Sequence, residues 1–422
     1  MGLTIDDVRA YGDSIDRIER KALEMLTDGL GKLDSSDISA YIDAAVALTN
    51  AMCGSSAMAA AELAAAYYDT VREIQVGSKL GAEAIDLHVP EATESVIRSV
   101  QVDGNLLAAS DVRSRCGDRL SYEVKRAAGE TVRRNAAKDP AKPRYARVPS
   151  GIDTCKFCLM LASKKSEDGS GAYWSAKSAG KWDHYHPNCR CRVIPMFKGG
   201  VDGFDPDRYY DMWKHPERFP DLIAARKAKR REKYERERIR KRINESTVIA
   251  DSLYSGGANQ VWKMYEDADK AIKKAWNSGT KHNRDEYLMH IKSMITVGDI
   301  SIEGMPYLEG KELMVGKWLS AAGRNVLFRD ANIHKDADGV TSDLLVDGEM
   351  WEMKCIRSGS YKKAVRRVVE KLDRQGPNFI IDMSPSNLCG EQLLVRFAKL
   401  LDDERIGKII LITGGKMHLL TR

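Results

Sequence analysis

The sequence lacks, anywhere in its 422 positions, an uninterrupted apolar run of about 18 residues, the length a membrane-crossing helix needs. Its N-terminus, MGLTIDDVRAYGDSIDRIERKALEML, also lacks the continuous apolar centre of a signal peptide. A chain made in the cytoplasm, without membrane insertion, is therefore expected. Met1-Gly2 followed by Thr4 is crowded by Asp6 and Asp7 and has no polybasic support, which argues against a myristoylation signal. A strong charge of one sign is missing too. The formal net charge is only +6, so any affinity for nucleic acid must come from local patches rather than from the whole surface. No internal repeat is visible.

What is present is length and helical periodicity, with 43% hydrophobic and 30% charged residues, enough for two or three domains with proper cores. From about 4 to 145 the pattern is helical. Thr4 with Asp7 can cap a first helix whose apolar stripe is Ile5, Val8, Ile15, Ile18 and Leu23. DISAYIDAAVALTNAM and SSAMAAAELAAAYYDTVREI predict two closely packing Ala-rich helices. Nothing in this region has the residues of a catalytic site, and Pro140, Pro143 and Pro149 close it. From Arg226 to Arg242 there are eleven basic and three acidic residues with no Gly or Pro. This run reads as a solvated helical linker or, alternatively, as a phosphate-binding stripe. Beyond Ser255-Gly256-Gly257 the alternation changes. Helices are expected over 258–276, 285–295 and 309–322, then strands NVLFRD, SDLLV and EMWEMKCI, a helix SYKKAVRRVVEKLDRQ, strand NFIIDM, helix GEQLLVRFAKLLDD and strands KIILITG and KMHLLT. That order predicts an α/β domain with a mixed sheet.

Of eight cysteines, Cys53, Cys116, Cys355 and Cys389 are isolated and read as small buried apolar residues. Cys155, Cys158, Cys189 and Cys191 are clustered, and in a reducing compartment such a cluster points to metal ligands rather than disulfides. Cys155-x-x-Cys158 offers two thiolates to one tetrahedral ion, and His186-x-x-Cys189 can complete a structural zinc site. His184 and Cys191 are reserve ligands, and an all-cysteine set remains open.

The stretch TSDLLVDGEMWEMK, residues 341 to 354, poses a sharper question, because it places Asp343, Glu352 and Lys354 in a strand-like run. Asp347-Gly348 is a favoured two-residue hairpin turn. Pairing outward from it sets Leu344 against Trp351 and Asp343 against Glu352. Directly opposed Cβ atoms lie about 4.5–5.5 Å apart, so the carboxylates repel unless a proton or cation sits between them. The period of two puts Lys354 on the face of Glu352.

Two resemblances follow from these residues. VPSGIDTCKFCLMLASKK, YHPNCRCRVIPMF and FDPDRYYDMW together resemble the MuF-like minor head proteins of tailed phages, over roughly residues 1 to 220. This resemblance implies a minor capsid component in the head, with portal and capsid proteins as partners and Cys155, Cys158, His186, Cys189 and Cys191 as marked positions. The protease label that some relatives carry finds no Ser/His/Asp or Cys/His constellation here. KELMVGKWLSAAGRNV, SDLLVDGEMWEMKCI and VEKLDRQGPNFIIDM look like the PD-(D/E)xK nucleases, and are most similar to the C-terminal tRNase domains of contact-dependent growth-inhibition toxins. Ser342 stands where the motif usually has proline. The implied chemistry is Mg2+ held by Asp343 and Glu352, with Glu312 a third or water-mediated ligand. Lys354 would handle the attacking water, and Gln375 would position Lys354 or the phosphate. Lys362, Lys363, Arg366 and Arg367 offer a basic helix face to a phosphate backbone.

The expected organisation is a helical minor-head module over 1–150, a Cys/His segment of the same module over 151–220, a basic helical linker over 221–256 and a nuclease-like toxin domain over 257–422. The virion would carry the protein and the toxin domain would act in a target cell's cytoplasm, with a cognate immunity protein implied. A purely structural capsid protein, or a nuclease acting on duplex DNA during packaging, are the alternatives.

Overall fold

The computed structural model describes residues 2–35, 37–149, 154–164, 191–197, 200–278, 300–303, 308–329, 342–370 and 376–422. It is multidomain, with two compact units, Met1–Lys233 and Tyr234–Arg422.

The first unit is built on long helices. In α1 (Ile5–Lys32) the Thr4 hydroxyl accepts the Asp7 N–H at 3.3 Å while the Asp7 carboxylate accepts the Thr4 N–H at 2.9 Å, the reciprocal cap that the sequence suggested. Val8, Ile15, Leu26 and Leu30 form its buried stripe. The two expected Ala-rich helices are one, α2 (Ile38–Val76). Gly54-Ser55-Ser56 looks like a break locally, yet Ser55 returns its hydroxyl to the Ala51 carbonyl at 3.0 Å, and the open side of Gly54 faces His88. Packing thus carries the helix through a weak stretch. Its small residues Ala45, Ala60 and Ala64 share a core with Cys116, Leu120, Val124 and Ala128 of α4 (Ala108–Lys138), and α3 (Pro90–Arg98) packs beside them. Although α2 is long and apolar enough to cross a membrane, with a window of mean hydropathy 1.2, Tyr68, Val71 and these alanines are buried in the protein.

An antiparallel hairpin of β1 (Arg144–Pro149) and β2 (Cys191–Met196) adds Ala146, Val148, Val193 and Ile194 to that core. Between them in sequence lies α5 (Lys156–Ala162). α6 (Pro206–Lys214), capped by Asp205, precedes α7 (Pro220–Asn244), the helix of the basic run. From Tyr234 onward α7 belongs to the second unit and is not a freely solvated rod. Ile239 and Ile243 are buried, and Arg242 donates to the Ala398 carbonyl at 3.0 Å and pairs with Asp402.

The second unit is a mixed eight-stranded sheet in the order β3-β10-β9-β8-β7-β6-β5-β4. Its strands are β3 (Thr247–Ala250), β4 (Ile300–Ile302), β5 (Val326–Phe328), β6 (Leu344–Val346), β7 (Glu349–Cys355), β8 (Asn378–Asp382), β9 (Lys408–Thr413) and β10 (Lys416–Thr421). The β4–β5, β7–β8 and β8–β9 pairs are parallel and the others antiparallel. The helices are α8 (Ala258–Ser278), α9 (Gly310–Ala321), α10 (Tyr361–Val369) and α11 (Gly390–Leu400). Tyr265 of α8 and Leu313, Trp318 and Leu319 of α9 share a core with Trp351, Met353, Ile380, Ile410 and Ile412. A Cβ on Gly316 would meet the Phe328 ring at 2.4 Å, so α9 lies close on β5. Strand β3 comes from the stretch expected to be linker; it covers the outer edge of β10 and satisfies backbone groups that would otherwise be bare. The helix expected over 285–295 lies outside the described residues.

Candidate functional site

The Asp347-Gly348 turn has φ of 51° and 81° at its two residues, the left-handed pair of a tight hairpin turn that favours Gly at the second place. The Asp347 carboxylate pins the tip by accepting the Asn325 N–H at 2.9 Å and pairing with Arg324 at 3.0 Å. These bonds hold it below the usual carboxylate range. The resulting register, Leu344↔Trp351, Leu345↔Met350 and Val346↔Glu349, is the one the turn predicts.

One step beyond this ladder Asp343 and Glu352 meet. Asp343 accepts the Met353 N–H at 2.8 Å and is hydrogen-bonded to Glu352. Glu352 is only 2% exposed. Burial above all, and then the Asp343 charge, push its carboxyl up to about 7, against the pull of Lys354. The Lys354 ammonium forms an ion pair with Glu352. Glu312 sits in the first turn of α9, where its carboxylate accepts the Glu309 N–H at 2.8 Å. Burial raises it to about 7 as well, and the Asp343 charge adds to the rise. Asp343, Glu352 and Lys354 therefore come together, and Glu312 lies within their electrostatic reach. Gln375 lies outside the described residues.

The site has the makings of a hard-cation centre: a buried carboxylate and a half-buried one adjoin, unfavourably close to each other, with a third acting on them. Among the described residues no group of three His, Cys, Asp or Glu side chains is arranged to hold a metal ion. A pair of carboxylates is the protein share that Mg2+ ordinarily takes, since it keeps several waters and borrows substrate oxygens. On α10, Lys362, Lys363, Arg366 and Arg367 are exposed while Ala364 and Val368 are buried.

Sequence reasoning passed over Asp382, which is fully buried at the end of β8 and accepts the Tyr265 hydroxyl at 2.7 Å. The available signal was the one that exposed the hairpin, an acid closing an apolar strand, here NFIID.

In the first unit three of the five marked positions are brought together. Cys155 caps α5 by accepting the Cys158 N–H at 3.3 Å, the Cys158 and Cys191 sulfurs are 3.2 Å apart, and Cys155 packs against both. None of the three forms a disulfide. His184, His186 and Cys189 lie outside the described residues.

Comparison with known proteins gives a separate match within each unit. Residues 340–417, which contain the hairpin and Asp382, match the contact-dependent growth inhibition CdiA C-terminal domain. The Gene 15 protein of Mycobacterium phage L5 is 29% identical over a region covering 26% of this chain and 50% of that protein. The chain thus spans about half the length of that relative. No solved structure matches. Residues 3–215, half of the chain and most of the first unit, match the VG15 protein family, and the chain belongs to that family.

Proposed function

We propose that this is a phage virion protein, a minor head component of MuF type, whose C-terminal unit is a toxin: a metal-dependent endonuclease of the PD-(D/E)xK kind that cleaves tRNA. The observation that carries the reading is the adjoining Asp343–Glu352 pair with Lys354 on one hairpin, inside the segment similar to CdiA C-terminal domains.

Asp343 and Glu352 would hold Mg2+, which would supply charge neutralisation at the phosphoryl oxygens and a more acidic water. Glu312 reinforces the negative cradle through Asp343. The Lys354 ammonium, paired with Glu352 in this structure, would steady the attacking water and the phosphate. The exposed basic face of α10 receives backbone phosphates, and Gln375 positions the scissile group. In the first unit Cys155 and Cys158, with two further ligands from among His186, Cys189 and Cys191, would hold a structural zinc. The partners are portal and capsid proteins, the tRNA and a cognate immunity protein.

The test is incubation of the full chain, as wild type and as Asp343→Asn, with total tRNA and with duplex DNA, in Mg2+ or in EDTA. Metal-dependent tRNA cleavage that the substitution abolishes is the expected result. Cleavage of DNA alone moves the function to genome processing. Inertness toward both leaves a structural protein with a non-catalytic C-terminal unit.

A further inference from the structure

Asp382 stands at the end of β8 with no exposed surface and takes no part in the carboxylate pair across the hairpin. Its backbone is the ladder partner of Cys355, and its carbonyl accepts the Ile356 N–H at 2.9 Å. Its side chain accepts the Tyr265 hydroxyl at 2.7 Å, the Ser384 N–H at 2.9 Å and the Cys355 thiol. These donors are all neutral. An acid placed in an apolar core against neutral donors weakens a fold relative to an apolar side chain of similar size, and β8 has such side chains at Ile380 and Ile381 beside it. A local arrangement that stability alone does not favour points to a role in the site.

Its contacts define that role. Cys355 and Ile356 are the two residues that follow Lys354, and Asp382 holds one by its side chain and the other by its backbone. Successive strand residues point to opposite faces. Fixing Cys355 toward α8 therefore fixes Lys354 toward the face that carries Glu352. The same grip extends to the third carboxylate. Tyr265 packs against Trp318 of α9, with ring centroids 6.1 Å apart, and Asp269, one turn further along α8, accepts the N–H of Gly310 at the start of α9. A Cβ at Gly310 would lie 2.2 Å from the Tyr265 carbonyl, so α8 and the first turn of α9, where Glu312 sits, are locked together.

We propose that Asp382, Tyr265 and Cys355 are the positioning residues of the site, setting Lys354 and Glu312 against the Asp343–Glu352 pair. The inference rests on the nucleolytic reading for its consequence in turnover, but the placement of Lys354 can be measured without turnover.

The experiment compares full-length wild type with Tyr265→Phe, Asp382→Asn, Cys355→Ala and Cys355→Ser. It reads tRNA cleavage as kcat and KM separately, and the Lys354 side-chain NMR signal in lysine-labelled protein, assigned by its loss in Lys354→Arg. The expected result is a fall in kcat of about ten- to hundredfold, the scale seen when groups that orient a metal site are removed, with KM unchanged and the Lys354 signal displaced. Cys355→Ser, which keeps a donor, recovers most of what Cys355→Ala loses. Wild-type kcat in folded Tyr265→Phe, or a fall in kcat with the Lys354 signal unmoved, overturns the proposal. If Asp382→Asn does not fold, Tyr265→Phe, which removes one hydroxyl, carries the test. If wild type cleaves nothing, the nucleolytic reading fails by itself and the Lys354 signal decides: displaced in Tyr265→Phe it upholds the positioning, unmoved it ends it.

Discussion

Asp139 in the first unit and Glu352 in the second are both buried carboxylates, and their surroundings are opposite in kind. Burial acts to raise Asp139, but it accepts the Ala141 N–H, the Arg72 guanidinium at 2.9 Å and the Tyr68 hydroxyl at 2.8 Å, and it ends below the usual carboxylate range. Glu123 is likewise paired with Arg119 and Arg126, and Lys125 with Glu19 at 2.9 Å. Glu352 is buried facing another acid, with Lys354 pulling against it, and Glu312 is raised by burial and by the same neighbour. The charges of Asp139, Glu123 and Lys125 are resolved within the first unit, as a scaffold requires. In the second unit the repulsion between two adjoining acids is only partly offset, beside the inner β6–β7 hairpin of the sheet, where a ligand of opposite charge can resolve it.

The largest expected effect falls on the unresolved side. Asp343→Asn keeps an acceptor for the Met353 N–H but removes the repelling charge. Cleavage should drop by about a thousandfold or more, while the melting temperature of the C-terminal unit, read by calorimetry, holds or rises. A clear fall in melting temperature would place Asp343 with Asp139 as a structural acid and erase the contrast.

Next in size is Glu123→Ala, which strips Arg119 and Arg126 of their buried partner. A loss of about 3–5 kcal/mol is expected, seen in calorimetry as a lower first-unit transition with cleavage retained. Little change would mean that the ion network of the first unit is no more committed than the hairpin pair.

A smaller effect separates the units by pH. Glu352 and Glu312 hold their protons more tightly folded than unfolded. The stability they contribute is full below the ordinary glutamate value and is lost as pH rises through about 7. Asp139 is lowered, so its contribution is present above the ordinary aspartate value and is lost on acidification. Calorimetry from about pH 5 to about pH 8 should lower the C-terminal transition and spare the N-terminal one, with Mg2+ at the upper end restoring the former. Parallel shifts in both would undo the contrast.

The smallest effect on cleavage is expected from Cys155→Ser with Cys158→Ser. Metal analysis should find about one zinc per wild-type chain and none in the variant, whose nuclease activity persists. Zinc-free wild type, freshly purified, removes the metal from the scaffold.

The parts legible in the sequence were those set by neighbours along the chain. The Asp347-Gly348 turn and a period of two fixed which residues meet across the hairpin, and Thr4 with Asp7 marked the first cap. What was not legible depended on distant packing. Gly54-Ser55-Ser56 stays helical because α2 lies in a core with α4. Thr247–Ala250 is a strand only because β10, far along the chain, offers its edge. Asp382 carries little meaning until Tyr265 and Cys355 are seen around it.

Strand β3 has one more consequence, for how such chains are shuffled between genomes. The segment similar to CdiA C-terminal domains begins at residue 340, and the glycines at 256 and 257 look like a natural seam. A crossover at either point would transplant the hairpin and its acids but abandon the strand that seals β10, leaving a raw sheet edge prone to self-association. A cassette exchanged without that defect has to begin upstream of Thr247, so recombination breakpoints in descendants of this gene should gather in the basic helix rather than at the seam that composition advertises.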